Sequence, residues 1–309
     1  MTHRNPNLEA CRGGVIAIGN FDGVHLGHQR MISVLKARAE EASVPAVAMT
    51  FDPPPVALLR PDKVPPSLTT ISHRTELLKR YGMDEVLIWP TSTELLNLTP
   101  REFFDEVILN QLRAVGMVEG PNFFFGKDRA GDVQTLAEFC SQSGLSLEIV
   151  RPVVDGESLV SSSRVRKLIG SNGLDEAVEM LGHPYRLTGL VGHGASRGRT
   201  IGFPTANLTE IRTLVPSEGV YAGLCEIEGR ECSVAVNIGQ NPTFNDDVAK
   251  VEAHVIDWDG DLYGAQLAVD LLSRIRAVQT FESAGELQQQ IEKDVESARR
   301  ACERFQSSQ

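Results

Sequence analysis

The chain has 309 residues, 41% of them hydrophobic and 23% charged, which is typical of a globular protein with room for two domains. Its 30 basic and 41 acidic residues give a net charge of −11, which argues against nonspecific binding to nucleic acid or an anionic membrane. The five cysteines form no CxxC pair, and the N-terminal residues lack the apolar core of a secretory signal. We therefore expect a cytoplasmic protein, monomeric or weakly homo-oligomeric, whose partners are small molecules rather than nucleic acid or membrane.

The first half of the chain alternates apolar runs with segments of helical spacing. Strands are predicted at 14–19, 44–51, 85–89, 115–119 and 145–150. Helices are predicted at 28–42, 72–81 and 132–143, with a further one starting at the capping box Thr99-Pro100-Arg101-Glu102. This alternation predicts an α/β domain with a Rossmann-like, doubly wound parallel sheet.

The pattern of predicted elements changes near residue 183, because strands now follow one another without intervening helices. The segments are separated by glycine turns, with Glu228-Gly229 and Asp259-Gly260 as the predicted turns. Such a pattern is typical of a small β-barrel or sandwich. A helix over 283–305 closes the chain. We place the domain boundary between 1–182 and 183–309.

The stretch GNFDGVHLGH, residues 19–28, carries two histidines at a predicted strand-to-helix turn. Zinc ligation by His25 and His28 is disfavoured, because their spacing is three and no glutamate lies between them. A plain structural alternative is that His28 only begins the apolar face of the helix. The position favours phosphate binding instead, since open α/β sheets place ligands at the carboxyl ends of strands and helix N-termini attract anions.

Histidines in such a turn can hydrogen-bond phosphate oxygens as charge develops during transfer, with no covalent intermediate. H-x-G-H resembles the signature of the nucleotidylyltransferase superfamily. The residues of the turn expected to approach the phosphates closely are Gly19, Phe21, Gly23 and Gly27.

A second stretch, VSSSRVR at 160–166, places hydroxyl groups and a cation at a predicted helix start. It resembles the other superfamily signature, with Ser163 where threonine is usual. We expect Ser161, Ser162, Ser163 and Arg166 to bind ATP phosphates. A serine-capped helix with a solvated arginine is the structural alternative for this motif taken alone.

GHGASRGRTIGFPTAN, residues 192–207, is the corresponding stretch of the second half. Candidate phosphate-binding residues are Gly192, Gly194 and Gly198 in a backbone arch, with Arg199 as a cationic partner. Thr205 and Asn207 are hard oxygen donors two residues apart, and on an extended segment both would face one side. They suit Mg²⁺ that carries a nucleotide.

KVEAHVIDW alternates, so Glu252, His254, Ile256 and Trp258 are predicted to share one strand face. If that face is the interior, Glu252 is a carboxylate among apolar neighbours and needs a partner or a catalytic task. An exposed strand face, or a glutamate paired with a cation, is the structural alternative.

Together these motifs resemble the bifunctional prokaryotic riboflavin kinase/FMN adenylyltransferase family. GNFDGVHLGHQ, TFDPPP, GPNFFFGKDRAGD and VSSSRVR match its adenylyltransferase module, and GRTIGFPTAN, GVYAG, VNIGQNPTF and VEAHVIDWDGDLYG match its riboflavin kinase module. The motifs run in order over about residues 14–295.

The resemblance implies a C-terminal six-stranded barrel that phosphorylates riboflavin from ATP, and an N-terminal module that transfers AMP from ATP to FMN. Glu252 matches the family's general base, Thr205 and Asn207 match its Mg²⁺–ATP ligands, and Asn122 matches a position linked to flavin binding. His25 and His28 match its nucleotide-phosphate ligands.

One departure bears on the adenylyltransferase. The family commonly has histidine in TFDPHP where this chain has Pro54. The alternatives are therefore a riboflavin kinase with weak or lost adenylyltransferase activity and a non-catalytic flavin-binding regulator. A nucleotidylyltransferase for another phosphate is disfavoured by the GFPTAN module. A metal-dependent hydrolase is disfavoured by the lack of a carboxylate–histidine cluster at ligand spacing.

Overall fold

The computed structural model describes residues 8–156, 158–192, 202–239 and 249–307. Within them the chain forms two compact units, one from 1–65 with 69–161 and the other from 66–68 with 162–309. The helices that follow Ser161 are thus grouped with the barrel. The functional boundary predicted between 182 and 183 stays a prediction.

The first unit contains a five-stranded parallel sheet. Its strands are β1 (Val15–Ile18), β2 (Ala46–Asp52), β3 (Glu85–Pro90), β4 (Gly116–Glu119) and β5 (Ser146–Ile149). Their order is β3-β2-β1-β4-β5, which confirms the predicted doubly wound sheet. The order reverses between β1 and β4, so the carboxyl ends of these two strands border the crevice where such sheets bind ligands.

Helices and a small hairpin surround this sheet. They are α1 (Leu8–Cys11), α2 (Leu26–Ala42), α3 (Pro55–Leu59), α4 (Ile71–Arg80), α5 (Thr93–Asn97), α6 (Pro100–Phe103), α7 (Val133–Ser143), and the hairpin β6 (Val154–Asp155) with β7 (Ser158–Leu159). The Thr99–Glu102 capping box is present at α6, and a π-helical segment, Phe104–Gln111, continues that helix. Pro54 directly precedes α3 as its N-cap residue.

The sequence of β1 explains why both faces of the sheet are covered. Ile16 and Ile18 pack into the core that includes α7, and Val15 and Ala17 pack into the core that includes α2. All four residues are buried. A strand without a polar face requires helices on both sides, as in parallel sheets generally.

The second unit is a closed six-stranded antiparallel barrel, preceded and followed by helices. Its elements are α8 (Ser162–Ile169), α9 (Leu174–Leu181), β8 (Tyr185–Gly192), β9 (Ala206–Thr209), β10 (Gly219–Ile227), β11 (Arg230–Gly239), β12 (Lys250–Val255), β13 (Gln266–Arg276) and α10 (Ala284–Ser307). The strand order around the barrel is β10-β11-β12-β9-β8-β13. This confirms the six-stranded barrel and the closing helix.

Two connections of the barrel were predicted as glycine turns. Glu228 and Gly229 both have positive φ, 54° and 75°, which is the geometry of a tight primed hairpin turn between β10 and β11. The predicted turn at Asp259-Gly260 is wrong as a two-residue turn, because β12 ends at Val255 and β13 begins only at Gln266. The connection between these strands is a ten-residue loop.

Helix α10 packs on the outside of the barrel. Ala298 and Ala301 of this helix lie against Ala222 of β10 and Ala235 of β11. Arg276 at the end of β13 makes a two-pronged ion pair with Asp294 of α10, with Nε–Oδ1 at 2.8 Å and Nη2–Oδ2 at 2.6 Å. Among the described residues, none of the helices has the length and apolarity needed to cross a bilayer.

Candidate active sites

The GNFDG turn leaves β1 at the edge of the sheet where the crevice lies. Phe21, Gly23 and Val24 all have positive φ, at 47°, 82° and 39°. For Phe21 and Val24 this backbone conformation is uncommon and requires support from surrounding contacts. The strained turn delivers His25 directly to the N-terminus of α2.

His25 is the N-cap residue of α2. Its Nδ1 accepts a hydrogen bond from the backbone N–H of His28 at 3.4 Å, so a neutral His25 carries its proton on Nε2. The rings of His25 and His28 are stacked, with centroids 3.7 Å apart and planes inclined by 16°. The structure therefore brings the two histidines together as one paired element at a helix N-terminus.

The ring of His28 is edge-on to Phe21, with 5.4 Å between the ring centroids. Its Nδ1 is buried and has no hydrogen-bond partner among the described residues. Burial lowers the pKa of His28 well below its usual value, and the nearby His25 and Arg74 lower it further. The imidazole is thus neutral near pH 7. No group of three or more metal-binding side chains occurs in the part of the chain that the structure describes.

Gly27 lies directly against the stacked histidines. A Cβ atom at this position would lie 3.1 Å from Cε1 and Nδ1 of His25 and 3.6 Å from the carbonyl oxygen of Val160. Val160, which precedes the serines of VSSSRVR, is therefore beside the HxGH turn. Ser161 belongs to this unit, whereas Ser162, Ser163 and Arg166 lie on α8 in the other unit.

Sequence reasoning missed a buried ion pair that holds the same turn. Asp22 Oδ1 accepts hydrogen bonds from Thr69 N at 3.0 Å, Thr69 Oγ1 at 3.0 Å and Arg74 Nη2 at 2.9 Å. Arg74 Nε also donates to Thr69 Oγ1 at 3.1 Å. The side chains of Arg74 and Asp22 are 6% and 8% exposed. The aspartate of the FDG motif was the available signal, but its partner on α4 was not identifiable from spacing.

A second missed residue is Glu119 at the end of β4. Its Oε1 accepts the backbone N–H of Ile18 at 2.8 Å, where β1 and β4 cease to pair. The residue is almost completely buried, and burial raises the pKa of its carboxyl group well above the usual value, although the Ile18 hydrogen bond opposes this. Asn122 follows in the turn after β4 and is exposed.

In the second unit, the register of the barrel sets the candidate kinase residues side by side. Glu252 of β12 lies opposite Asn207 of β9 on one side and Asn237 of β11 on the other, and Asn207 lies opposite Gly192 of β8. Residues opposite one another in antiparallel strands are close enough for their side chains to interact. Thus three residues that are separated in sequence form one polar row.

This row is on the outer face of the barrel, so Glu252 is not an interior carboxylate, and the alternative of an outer strand face with a cation partner describes it. The alternating neighbours Val251, Ala253 and Val255 are the buried ones. The Glu252 carboxylate, whose side chain is 25% exposed, contacts Lys250 Nζ at 2.7 Å and Asn237 Nδ2 at 3.4 Å.

The expectation that Trp258 shares the face of Glu252 is wrong. Asp257 has φ of 59°, beyond the end of β12, and Trp258 instead lines a cavity of about 360 Å³ together with Thr205, Val191 and Ala253.

Asn207 is 9% exposed, and its Oδ1 is buried without a hydrogen-bond partner among the described residues. The predicted phosphate-arch residues Gly194, Gly198 and Arg199 lie outside the described residues.

A pair of stacked histidines at a helix N-terminus and a barrel with a carboxylate–amide row fit a two-module, nucleotide-dependent transferase. Comparison with known proteins agrees. Residues 8–164 match the FAD synthetase family and residues 181–302 match the riboflavin kinase family.

Similar proteins are the bifunctional riboflavin kinase/FMN adenylyltransferases of Escherichia coli K12, Pseudomonas fluorescens and Bacillus subtilis 168. They are 35%, 36% and 34% identical, over 93%, 93% and 92% of this chain and 92%, 93% and 91% of the relatives. A crystal structure from Streptococcus pneumoniae, described as a macrolide-efflux protein, is 32% identical with a TM-score of 0.83 and covers 93% of this chain and 94% of that chain. The chain belongs to the bifunctional riboflavin kinase/FMN adenylyltransferase family, and it is an enzyme with both activities.

Proposed function

We propose that His25 and His28 bind the nucleotide phosphates during adenylyl transfer to FMN. The observation that carries this assignment is the buried Nδ1 of His28, which has no hydrogen-bond partner among the described residues, in a stacked pair at the N-terminus of α2. In this reaction an FMN phosphate oxygen attacks the α-phosphorus of ATP and pyrophosphate leaves. The imidazoles and the helix N–H groups stabilise the charge that builds up on the non-bridging oxygens, without a covalent intermediate.

Further residues are assigned to this reaction from the sequence motifs. Close backbone approach to the phosphates is assigned to Gly19, Phe21, Gly23 and Gly27. Phosphate binding is assigned to Ser161, Ser162, Ser163 and Arg166, and flavin binding to Asn122. The functional division between the adenylyltransferase and the kinase is placed at 182/183.

For the kinase, Glu252 is the proposed general base that accepts the proton of the riboflavin 5′-hydroxyl as it attacks the terminal phosphate of ATP. The supporting observation is the row in which its carboxylate lies opposite Asn207 and touches Lys250 and Asn237. The lysine and the amide orient the carboxylate, and a general base of this kind contributes about 10²–10⁴-fold to the rate.

Thr205 and Asn207 are the proposed protein ligands of Mg²⁺. Their oxygen donors suit this hard cation, and the buried Asn207 Oδ1, which has no hydrogen-bond partner among the described residues, is free of a competing contact within that part of the chain. The ion supplies charge neutralisation for the transferred phosphate. Gly192, with Gly194, Gly198 and Arg199 outside the described residues, is assigned to the ATP phosphates.

The remaining proposals concern cellular location, oligomeric state and partners. We expect the enzyme to work in the cytoplasm on riboflavin, FMN and ATP, as a monomer or weak homo-oligomer, without nucleic-acid or membrane partners. Size-exclusion chromatography with light scattering tests the oligomeric state.

Chromatography of the products from riboflavin, ATP and Mg²⁺ tests both sites in one reaction. Glu252→Gln should lower FMN formation by about 10²–10⁴-fold and leave adenylylation of supplied FMN intact. His28→Ala should block FAD and spare FMN. Equal loss of both activities in either variant would contradict the assignment. FMN without FAD from the unmodified chain would support the alternative of a lost adenylyltransferase and point to Pro54.

A further inference from the structure

The turn that carries the two histidines is stabilised partly by residues outside it. Phe21 and Val24 hold a left-handed backbone conformation that their side chains disfavour. One hydrogen bond lies within the turn, from Val24 N to Phe21 O at 3.0 Å. Further contacts come from the region before and within α4. Thr69 Oγ1 accepts the backbone N–H of Gly23 at 3.3 Å, and Thr69 itself is fixed by Asp22 and Arg74.

Besides its hydrogen bonds, Arg74 acts on the histidine pair through its charge. The groups that face His28 are the ring of His25, the edge of Phe21 and, from α4, the charge of Arg74. Asp22 is the buried counter-charge of Arg74. The helix N-terminus of α2 adds a partial positive charge. The ring centroids of His25 and His28 are 3.7 Å apart. Protonation of the His28 imidazole would therefore be disfavoured by the positive charges around it.

We propose that Asp22 and Arg74 are positioning residues for adenylyl transfer: their ion pair fixes the turn that carries His25 and His28. The guanidinium charge adds to the larger effects of burial and of His25, which lower the pKa of His28. This inference rests on the proposed phosphate-binding role of His28. A neutral ring hydrogen-bonds phosphate oxygens in the tautomer that its surroundings select. It also avoids a fixed cation that would retain the pyrophosphate product.

Substitutions can separate the effect of the Arg74 charge from the effect of its hydrogen bonds. Arg74→Gln removes the charge, Arg74→Lys keeps the charge but lacks the forked guanidinium, and Asp22→Asn keeps the cation and weakens its anchoring. Arg38→Gln is the matched control, because Arg38 in the same unit is an exposed arginine paired with Glu41.

The first measurement is an NMR titration of the His28 imidazole in the full-length chain, assigned with His28→Gln. We expect the His28 pKa to rise in Arg74→Gln and to stay low in Arg74→Lys, Asp22→Asn and Arg38→Gln. Simple loosening of the turn would hydrate His28 and raise its pKa in Lys and Gln variants alike, because burial is the largest cause of the low value. An equal rise in both, or no rise in Arg74→Gln, overturns the proposal.

The second measurement is the rate of each reaction. Adenylylation of FMN should fall by about 10²-fold in Asp22→Asn and Arg74→Gln, since a displacement of about 1 Å costs roughly that much. Riboflavin phosphorylation by the same chain should be unchanged, which also checks that the protein is folded. Unchanged adenylylation in Asp22→Asn overturns the positioning role.

A different result would disprove the proposed phosphate-binding role of His28. If His28→Ala still adenylylates FMN at the normal rate, the proposed phosphate-binding role is wrong, whatever the titration shows. If Arg74→Gln does not fold, the adenylylation rate of Asp22→Asn decides the positioning role.

Discussion

Substitution of Gly27 by alanine perturbs the histidine pair with a single methyl group. The added Cβ would lie 3.1 Å from two atoms of the His25 ring, which is closer than ordinary van der Waals contact. The ring must therefore move by a few tenths of an ångström, away from its stacked position on His28. Alanine also favours the helix over glycine by about 0.5–1 kcal/mol, so the substitution is not expected to unfold α2.

The expected loss follows from that displacement. If about 1 Å of misplacement costs about 10²-fold, a shift of about 0.3–0.5 Å predicts a loss of about 4- to 10-fold in FMN adenylylation. The assay is the steady-state rate of FAD formation from FMN and ATP, with riboflavin phosphorylation as the internal reference. Ser33→Ala, at an exposed position on α2, is the control for changes elsewhere on the helix.

Two outcomes would refute this reasoning. Full adenylylation activity in Gly27→Ala would show that the His25 position does not matter for the reaction. A parallel loss of kinase activity would show that the effect spreads through the chain instead of acting at the turn.

Three further predictions concern other parts of the molecule. Because the raised pKa of Glu119 makes the folded state bind a proton that the unfolded chain releases, stability should fall as pH rises above the ordinary value of 4.5. Glu119→Gln should flatten this dependence above pH 4.5, measured by hydrogen exchange of β1 and β4; an unchanged slope contradicts it. Asn207→Ala should shift the Mg²⁺ dependence of phosphorylation to higher concentration and leave adenylylation unchanged, and a shift in both reactions would argue against a local ligand. Asp294→Ala leaves Arg276 without its counter-charge and should destabilise the barrel unit by about 3 kcal/mol in urea unfolding, whereas Glu296→Ala, at an exposed pair on α10, should change little.

Local signals explain why so many elements could be placed in advance. The apolar run of β1, the Thr99 capping box and the Glu228-Gly229 turn each depend on residues within a few positions of one another. The HxGH turn belongs to the same class, since its glycines and helix start are contiguous. The closed six-stranded barrel came from the resemblance to a family, because the strand pattern alone allowed a sandwich as well.

The expectations that were wrong concern Trp258 and the Asp259-Gly260 turn, where the chain leaves a regular strand. Alternation along KVEAHVIDW does not say which side of β12 the barrel encloses, and the positive φ of Asp257 redirects Trp258 into the cavity. The ten-residue loop after β12 likewise carries a glycine that resembles a turn signal without forming a tight hairpin.

The sequence by itself determined the two modules, their order and most of the motif residues, because these depend on short-range patterns of residue type. Tertiary structure alone decided which distant side chains serve them. Arg74 reaches Asp22 across 52 positions and Glu119 reaches Ile18 across 101. Glu252 faces outward because its neighbours Val251 and Ala253 fill the barrel. Such pairings depend on how strands and helices pack in three dimensions, and no local spacing in the chain specifies them.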